Sequence, residues 1–409
     1  MPAKPLDYTS LLRTDLPPAA VKWAGFPKYN FVGGHNAGET VPVAGLVDAA
    51  QAVITREGRT LATYNMESGA QGYLPLRQFL VAKLEADAGI ACSTDDILVT
   101  SGSGQALELV FAVLIAKGDT VIVEQSTYGG ALTRLRRVGA TPVGVPVDDD
   151  GLDPVALRTT LEELKAKGIR PKFIYTIPTV QNPTATVMSV ARRAEIIAIS
   201  ETYDVPILED ECYADLTFDG TRPPAMRAMA GNDRVIHVGS FSKSIAPALR
   251  LGYIVAGWPL MSRLLSVKID SGTPALGQMI VAEYVMKNFD AHVSGLRKVL
   301  KRKLDVMIEA VTAEFGTAAE FDPVAGGIFL WIKLPDAVDT LKLFQAASKE
   351  GVAINPGVEW CIDAEHSRSR LRLCFAHPSE EIIREGVAKL ADICHREFGV
   401  PQRSRNVAR

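Results

Sequence analysis

The sequence predicts an α/β protein: a mostly parallel sheet of seven strands covered by helices on both faces, followed by a smaller α+β unit. Three observations carry this. Between residues 97 and 256, short runs rich in Val, Ile, Leu and Thr alternate with longer amphipathic stretches, the pattern of successive βαβ units. After Gly272 the alternation stops and one long helical stretch begins, marking a change of architecture. At 409 residues and 47% apolar content, the chain has enough material for more than one core.

Residues 1–47 are rich in Pro and Gly, with turn dipeptides at Pro17-Pro18 and Gly33-Gly34, and read as an irregular arm that packs on something larger. A helical pattern covers 46–57, a glycine-bearing loop covers 64–73 and a second helix covers 76–86. Strands are expected at 97–100, 120–124, 142–145, 172–176, 206–209, 235–238 and 253–256, with helices at 105–116, 131–138, 154–167 and 190–203. A helix from 276 past 304 bridges to the small unit. That unit carries strands at 327–334, 352–355 and 370–375 and helices at 338–348 and 380–396, and residues 402–409 read as a frayed tail.

Composition excludes several classes. Net charge is −3 with no long block of one sign, which argues against a nucleic-acid surface or a polybasic membrane anchor. Arg134, Arg136 and Arg137 are expected on an ordinary helix face. The five cysteines are odd in number and scattered, without C-x-x-C or a His at ligand spacing, so no metal site is expected and a reduced cytoplasmic setting fits. The start lacks the apolar centre of a signal peptide. No run of roughly 18 uncharged apolar residues is present, so no membrane span is expected.

In a parallel sheet, ligands collect at the carboxyl ends of the strands, and the unusual residues of this chain lie there. Thr100-Ser101-Gly102-Ser103-Gly104-Gln105 opens a helix, where free backbone N–H groups and the helix dipole favour an anion. The same segment has two rival readings: a structural turn, or a partial dinucleotide fingerprint with Glu124 twenty residues on, although Leu107 stands where the third glycine belongs. Tyr128, just past the next strand, can lie flat on an aromatic ligand or can belong to the core. Thr179-Val180-Gln181-Asn182 and Glu209-Asp210-Glu211-Cys212-Tyr213 follow. Three carboxylates in a row at a buried strand end require a cationic partner, for which a protonated heteroaromatic nitrogen would serve; a solvated acidic turn, or a metal site of the Asp/Glu type for which no further ligands converge in sequence, are the alternatives. Finally, Gly239-Ser240-Phe241-Ser242-Lys243, followed by Arg250, holds one lysine among small hydroxylated residues, a setting for a reactive amine beside a phosphate.

Taken in order, these motifs resemble the fold type I pyridoxal-phosphate enzymes of aminotransferase class I/II. The resemblance is greatest to the kynurenine/2-aminoadipate aminotransferase-like branch and runs from Phe31-Val32-Gly33-Gly34 to the final helix. It implies pyridoxal 5′-phosphate as cofactor, held by Lys243 as a Schiff base. Asp210 would pair with the ring nitrogen, Asn182 and Tyr213 would meet the ring hydroxyl oxygen, and Tyr128 would stack on the ring. The phosphate would rest on Ser103, the Gly104 amide, Ser240, Ser242 and Arg250. The branch often has Gln where this chain has Gly104, so only the backbone contact carries over there.

Arg372 matches the arginine that grips the substrate α-carboxylate, with Gly34 and Asn182 also facing the substrate. Arg370 is expected on the same strand face. Tyr64 matches a tyrosine that reaches the neighbouring subunit's phosphate, which implies a homodimer. The implied division is an N-terminal arm at 1–47 packed on the active site and small domain, a large cofactor-binding domain at 48–292 and a small domain at 293–409.

The implied activity is transfer of an amino group from an L-amino acid to a 2-oxo acid by ping-pong kinetics, with Lys243 as base and acid. A lyase or decarboxylase on the same scaffold, or a cofactor-binding ligand sensor, are the alternatives; the arm shows no helix-turn-helix pattern of the kind that sensor regulators carry. Family loops commonly place Pro soon after the Gly-Gly pair, whereas this chain has His35-Asn36, so the usual substrates do not transfer. Trp23, Phe26 and Tyr29 offer either an aromatic pocket or packing for the arm.

Overall fold

Seven strands form the central sheet of the computed structural model, which describes residues 6–14, 16–17, 19–231 and 233–402. They are β1 (Ile97–Thr100), β2 (Thr120–Glu124), β3 (Thr141–Val145), β4 (Ile174–Thr176), β5 (Ile207–Asp210), β6 (Val235–Ser240) and β7 (Gly252–Val255). Their spatial order is β1-β7-β6-β5-β4-β2-β3. β7 is antiparallel to both neighbours, with Ile254 opposite Leu98 and Val238, and every other pair is parallel. All strands except β3 are buried along their length, which requires helices on both faces. β3 is the partly exposed edge, where Pro142 forfeits no interior ladder bond.

Strand alternation distributes the apolar side chains. Val121 and Val123 of β2 pack with Leu107, Phe111, Leu132 and Leu135 of α3 (Gly102–Leu114) and α4 (Gly129–Arg137). Ile122 points the other way, with Leu157, Leu161, Ile196 and Ile199 of α5 (Pro154–Ala166) and α6 (Val190–Tyr203). Both helices before the sheet are longer than expected, α1 spanning Val43–Glu57 and α2 Leu74–Ala88. Pro at the first turn of α2 suits an early start, because its missing N–H has no partner there. The expected scheme also omits three shorter helices, Met226–Ala230, Trp258–Val267 and Ala364–Ser367.

The long helix, α7, runs for 41 residues from Ala275–Phe315, about 60 Å at 1.5 Å per residue. Its first half buries Met279, Ala282, Val285 and Phe289 against α1 and α2. Its second half places Leu300, Leu304, Met307 and Val311 in a separate core with a three-stranded antiparallel sheet. That sheet has the order β8-β10-β9, made of β8 (Phe329–Lys333), β9 (Asn355–Pro356) and β10 (Arg370–Cys374). Helices α8 (Thr340–Lys349) and α9 (Glu380–Phe398) complete it.

The single strand expected at 352–355 is two short pieces with different partners. Val352–Ala353 pairs in parallel with Tyr29–Asn30, while β9 pairs with β10. The arm therefore contributes to this second unit, and Phe31 is fully buried in its core. Of the tail expected at 402–409, all but Gln402 lies outside the described residues. Among the described residues no helix is long and apolar enough to cross a membrane, and no group of His, Cys, Asp and Glu is placed to hold a metal.

Candidate active site

Parallel strands deliver their carboxyl ends to one edge of the sheet. β7 runs the other way, so Arg250, just before its amino end, comes to that same edge. A cleft of about 370 Å³ opens there and collects Gly34, Ser103, Gly104, Tyr128, Asn182, Asp210, Tyr213, Ser242, Lys243, Arg250 and Arg372. Ser240 and Tyr64, also predicted, lie elsewhere. The Ser240 hydroxyl accepts from the Ser242 N–H (3.1 Å) and faces the Leu251 carbonyl (3.4 Å), so it shapes the loop that presents Ser242 and Lys243. Tyr64 is 83% exposed and lines a different cleft with Asn65, Asp270 and Gln278.

Lys243 Nζ donates to the Gly34 carbonyl, while Asn36 Nδ2 donates to the Lys243 carbonyl (2.7 Å), so the arm is fastened to the loop at two points. Burial pushes the ammonium below the usual lysine range, and Arg372 and Arg250 act in the same direction.

The three consecutive carboxylates separate by strand alternation. Glu209 accepts from the Met226 N–H (2.6 Å) and lies 3.1 Å from His237 Nδ1. Glu211 lies 3.3 Å from Arg193 and 3.5 Å from Arg222. Asp210 faces the cleft instead, accepting from the Tyr175 hydroxyl (2.8 Å) and the Cys212 N–H (3.3 Å). Burial raises its carboxyl above the ordinary range, against the lowering effect of Cys212 and Tyr175. Among the described residues it has no ion-pair partner within 4.0 Å, so a cation arriving in the cleft would be stabilised beside it.

Arg372 presents the complementary case. It is 3% exposed on β10, and its guanidinium lies 3.8 Å from the centre of the Trp360 ring. It donates to Asn182 Oδ1 (3.0 Å), Asn355 Oδ1 (2.9 Å) and the Val32 carbonyl (3.3 Å), all neutral acceptors. Burial lowers its pKa, and among the described residues Nε has no hydrogen-bond partner. A buried guanidinium held by amides and a ring, rather than by a carboxylate, is arranged for an incoming planar anion. Arg370 shares that strand face, two residues away, but does not line the cleft and donates to the His366 carbonyl (2.6 Å).

Three further cleft residues escaped the sequence reading. Trp360 and Cys212 sit in no recognisable spacing, and only their contacts with Arg372 and Asp210 reveal them. Arg134 does not lie on an ordinary helix face: it lines the cleft, because the first turn of α4 follows Tyr128 directly. His35 also lines it, within a ring cluster with His377 (4.5 Å) and Phe26 (5.9 Å). Tyr29 turns away from the cleft, its hydroxyl donating to Glu385 (3.0 Å). The dinucleotide reading of the first strand end falls on Glu124, which is fully buried and accepts from Thr176 (2.6 Å), the Ile177 N–H (3.1 Å) and Gln181 (2.8 Å), leaving nothing for a ribose.

This sheet order, the second smaller domain and a cleft combining a buried lysine, an unpaired aspartate and an anion-ready helix start define a fold type I pyridoxal-phosphate enzyme. Residues 32–390 match the aminotransferase class I and II family, and the chain belongs to it. It is 32% identical over 372 residues to aromatic-amino-acid aminotransferase 1 of Thermococcus litoralis, covering 90% of this chain and 88% of that one. The kynurenine aminotransferase of Pyrococcus horikoshii superposes with TM-score 0.84 at 32% identity, covering 90% and 91% of the two chains. The α-aminoadipate aminotransferase of Thermus thermophilus, solved with N-(5′-phosphopyridoxyl)-L-leucine, superposes with TM-score 0.81 at 31% identity, covering 90% and 92%. The protein is a pyridoxal-phosphate-dependent transaminase acting between amino acids and 2-oxo acids.

Proposed function

We propose that Lys243 carries the cofactor, Asp210 holds its ring nitrogen protonated, and Arg372 receives the α-carboxylate of an L-amino acid whose side chain is neutral and ring-bearing. One observation carries the reading: among the described residues, the cleft contains a buried carboxylate with no cation within 4.0 Å and a buried guanidinium with no carboxylate within 4.0 Å, on opposite domains. A pyridine nitrogen and an amino-acid carboxylate supply the two missing charges.

In this assignment Tyr128 covers the ring, and Asn182 and Tyr213, whose Nδ2 and hydroxyl lie 3.4 Å apart, meet the ring hydroxyl. Ser103, the Gly104 amide, Ser242 and Arg250 hold the phosphate, and Ser240 supports Ser242. When bound, the cofactor withdraws electrons from the substrate α-carbon. Asn182 accepts from Arg372 and fixes its fork, so the carboxylate is gripped in one plane and the α-carbon hydrogen is directed at Lys243. With its ammonium destabilised by burial, the Lys243 amine has a larger free-base fraction near neutrality and moves that proton.

The side-chain preference is supported by the arm. His35, Phe26, Trp23 and His377 form a ring cluster at the cleft, and burial lowers the His35 imidazole pKa, with His377 and Lys243 adding to it. Such a lip favours uncharged, ring-bearing side chains over distal carboxylates, in keeping with the aromatic and kynurenine names of two relatives.

The assembly we propose is a homodimer. On α1, Val43, Val47 and Ile54 are 62%, 59% and 43% exposed on one face, opposite buried Ala49 and Val53, and exposed Leu61 and Tyr64 follow directly. In the dimer Tyr64 reaches the partner's phosphate site. The division into 1–47, 48–292 and 293–409 and a cytoplasmic location belong to the same proposal; all five cysteines are free, as a reducing compartment allows.

Borohydride reduction and peptide mapping test the assignment. The expected adduct is on Lys243, and an adduct on another lysine would overturn it. A panel of donors with 2-oxoglutarate should then rank phenylalanine, tyrosine and kynurenine above glutamate homologues, and the reverse ranking removes the substrate proposal.

A further inference from the structure

We propose that Arg134 is a second guanidinium ligand of the cofactor phosphate, admitted to the site by the absence of a side chain at Gly104. The first turn of α3 carries two glycines, and each leaves room for one arginine. A Cβ at Gly102 would collide with Arg250 Nη2, and a Cβ at Gly104 would lie 2.7 Å from Arg134 Nη2. Gly102 has φ +78°, where glycine is favoured on backbone grounds alone; Gly104 does not, so its missing side chain serves space. Both arginines and both Ser103 and Gly104 line the cleft that holds Lys243.

The orientation of Arg134 is fixed from outside. Nε lies 3.1 Å from Glu108 Oε1 and Nη1 donates to the Gly130 carbonyl (2.9 Å), which leaves Nη2 aimed at the helix start. A phosphate at that start would lie between Arg250 and Arg134, with the α3 N–H groups beneath it. Two guanidinium forks on a dianion suit its charge and its several oxygens better than one. This inference rests on Lys243 as the cofactor lysine, and its test keeps the two apart.

The experiment titrates apoenzyme with pyridoxal 5′-phosphate and, separately, with pyridoxal, in the wild type, Arg134→Ala, Arg134→Gln, Gly104→Leu and the Arg134→Ala/Gly104→Leu pair. Each variant is first checked for its apoenzyme melting temperature and for a borohydride adduct on Lys243. Loss of one partly exposed charge-assisted contact should weaken phosphate-cofactor binding roughly tenfold and leave pyridoxal binding unchanged. Gly104→Leu should lose as much by displacing Arg134, and the pair should lose no more than either single variant. Arg134→Gln, which can keep the Gly130 contact, guards against a folding defect. Unchanged binding of the phosphate cofactor overturns the proposal, as does an equal loss for pyridoxal. So does a rise confined to KM for dicarboxylic donors, which would assign Arg134 to substrate. An adduct on another lysine would instead remove the underlying site reading.

Discussion

On the proposed assignment, Arg372 concentrates the chemistry of substrate binding in one side chain. Its guanidinium is buried, stacked on Trp360 and tethered by two amide oxygens, so its plane is set before any ligand arrives. A lysine placed there keeps the charge but loses the fork. Arg372→Lys should therefore raise KM for amino donors roughly 10- to 100-fold while cofactor binding, followed by absorbance, stays unchanged. Asp210 is its counterpart on the large domain. In Asp210→Asn a neutral amide replaces the carboxylate; if Asp210 is the ring nitrogen's counter-ion as proposed, the loss should fall on kcat far more than on KM. Equal loss in both constants would place Asp210 outside the chemistry.

At the scale of elements, much of the site follows from strand ends, and those were legible. The apolar runs located all seven strands to within a few residues, and strand alternation explains why Asp210 alone of three carboxylates enters the cleft. What the sequence could not convey is which helix faces meet. Arg134 and Trp360 reach the cleft only because α4 and the loop before β10 converge there, and neither distance is encoded in local periodicity.

Arg193 belongs to the same class. It is fully buried on α6 and donates to Pro178 (2.9 Å), Thr179 (2.7 Å) and Met188 (3.0 Å), with Glu211 3.3 Å away. It thereby ties α6 to β5 and to the loop bearing Asn182. Arg193→Ala leaves the buried Glu211 with the Thr179 hydroxyl (2.9 Å) and, as its nearest cation among the described residues, the more distant Arg222 (3.5 Å), and should cost on the order of 3–5 kcal/mol in urea unfolding.

Glu124 links β2 to β4 and gives a signed pH effect. Burial raises its carboxyl from 4.5 to about 6, against four hydrogen bonds that lower it. Between those values the folded protein binds more protons than the unfolded chain, so Glu124 favours the fold at low pH and that contribution is lost as pH rises through about 6. The change amounts to about 2 kcal/mol. Glu124→Gln is expected to be less stable overall, yet to lack this slope when unfolding is compared at pH 4.5 and pH 6.5; an unchanged slope would assign the effect to another group.

For the whole molecule, the question is where Tyr64 acts. It protrudes from a turn in which Asn65, Met66 and Glu67 all have φ between 51° and 62°, a conformation disfavoured for residues with a Cβ. Such strain persists when surrounding contacts impose it, and within one subunit Tyr64 is largely exposed. The proposed dimer places it in the partner's phosphate site, beside the apolar face of α1. Each site then needs Lys243 from one chain and Tyr64 from the other.

Lys243→Ala and Tyr64→Ala homodimers should thus both be impaired, the first completely and the second through weaker cofactor binding. Mixed under exchange conditions, they form heterodimers in which one site carries both defects and the other carries neither. Random pairing should restore about a quarter of wild-type activity. If Tyr64 acted within its own subunit, every site in the mixture would retain one defect, and the activity would stay at the average of the two parents.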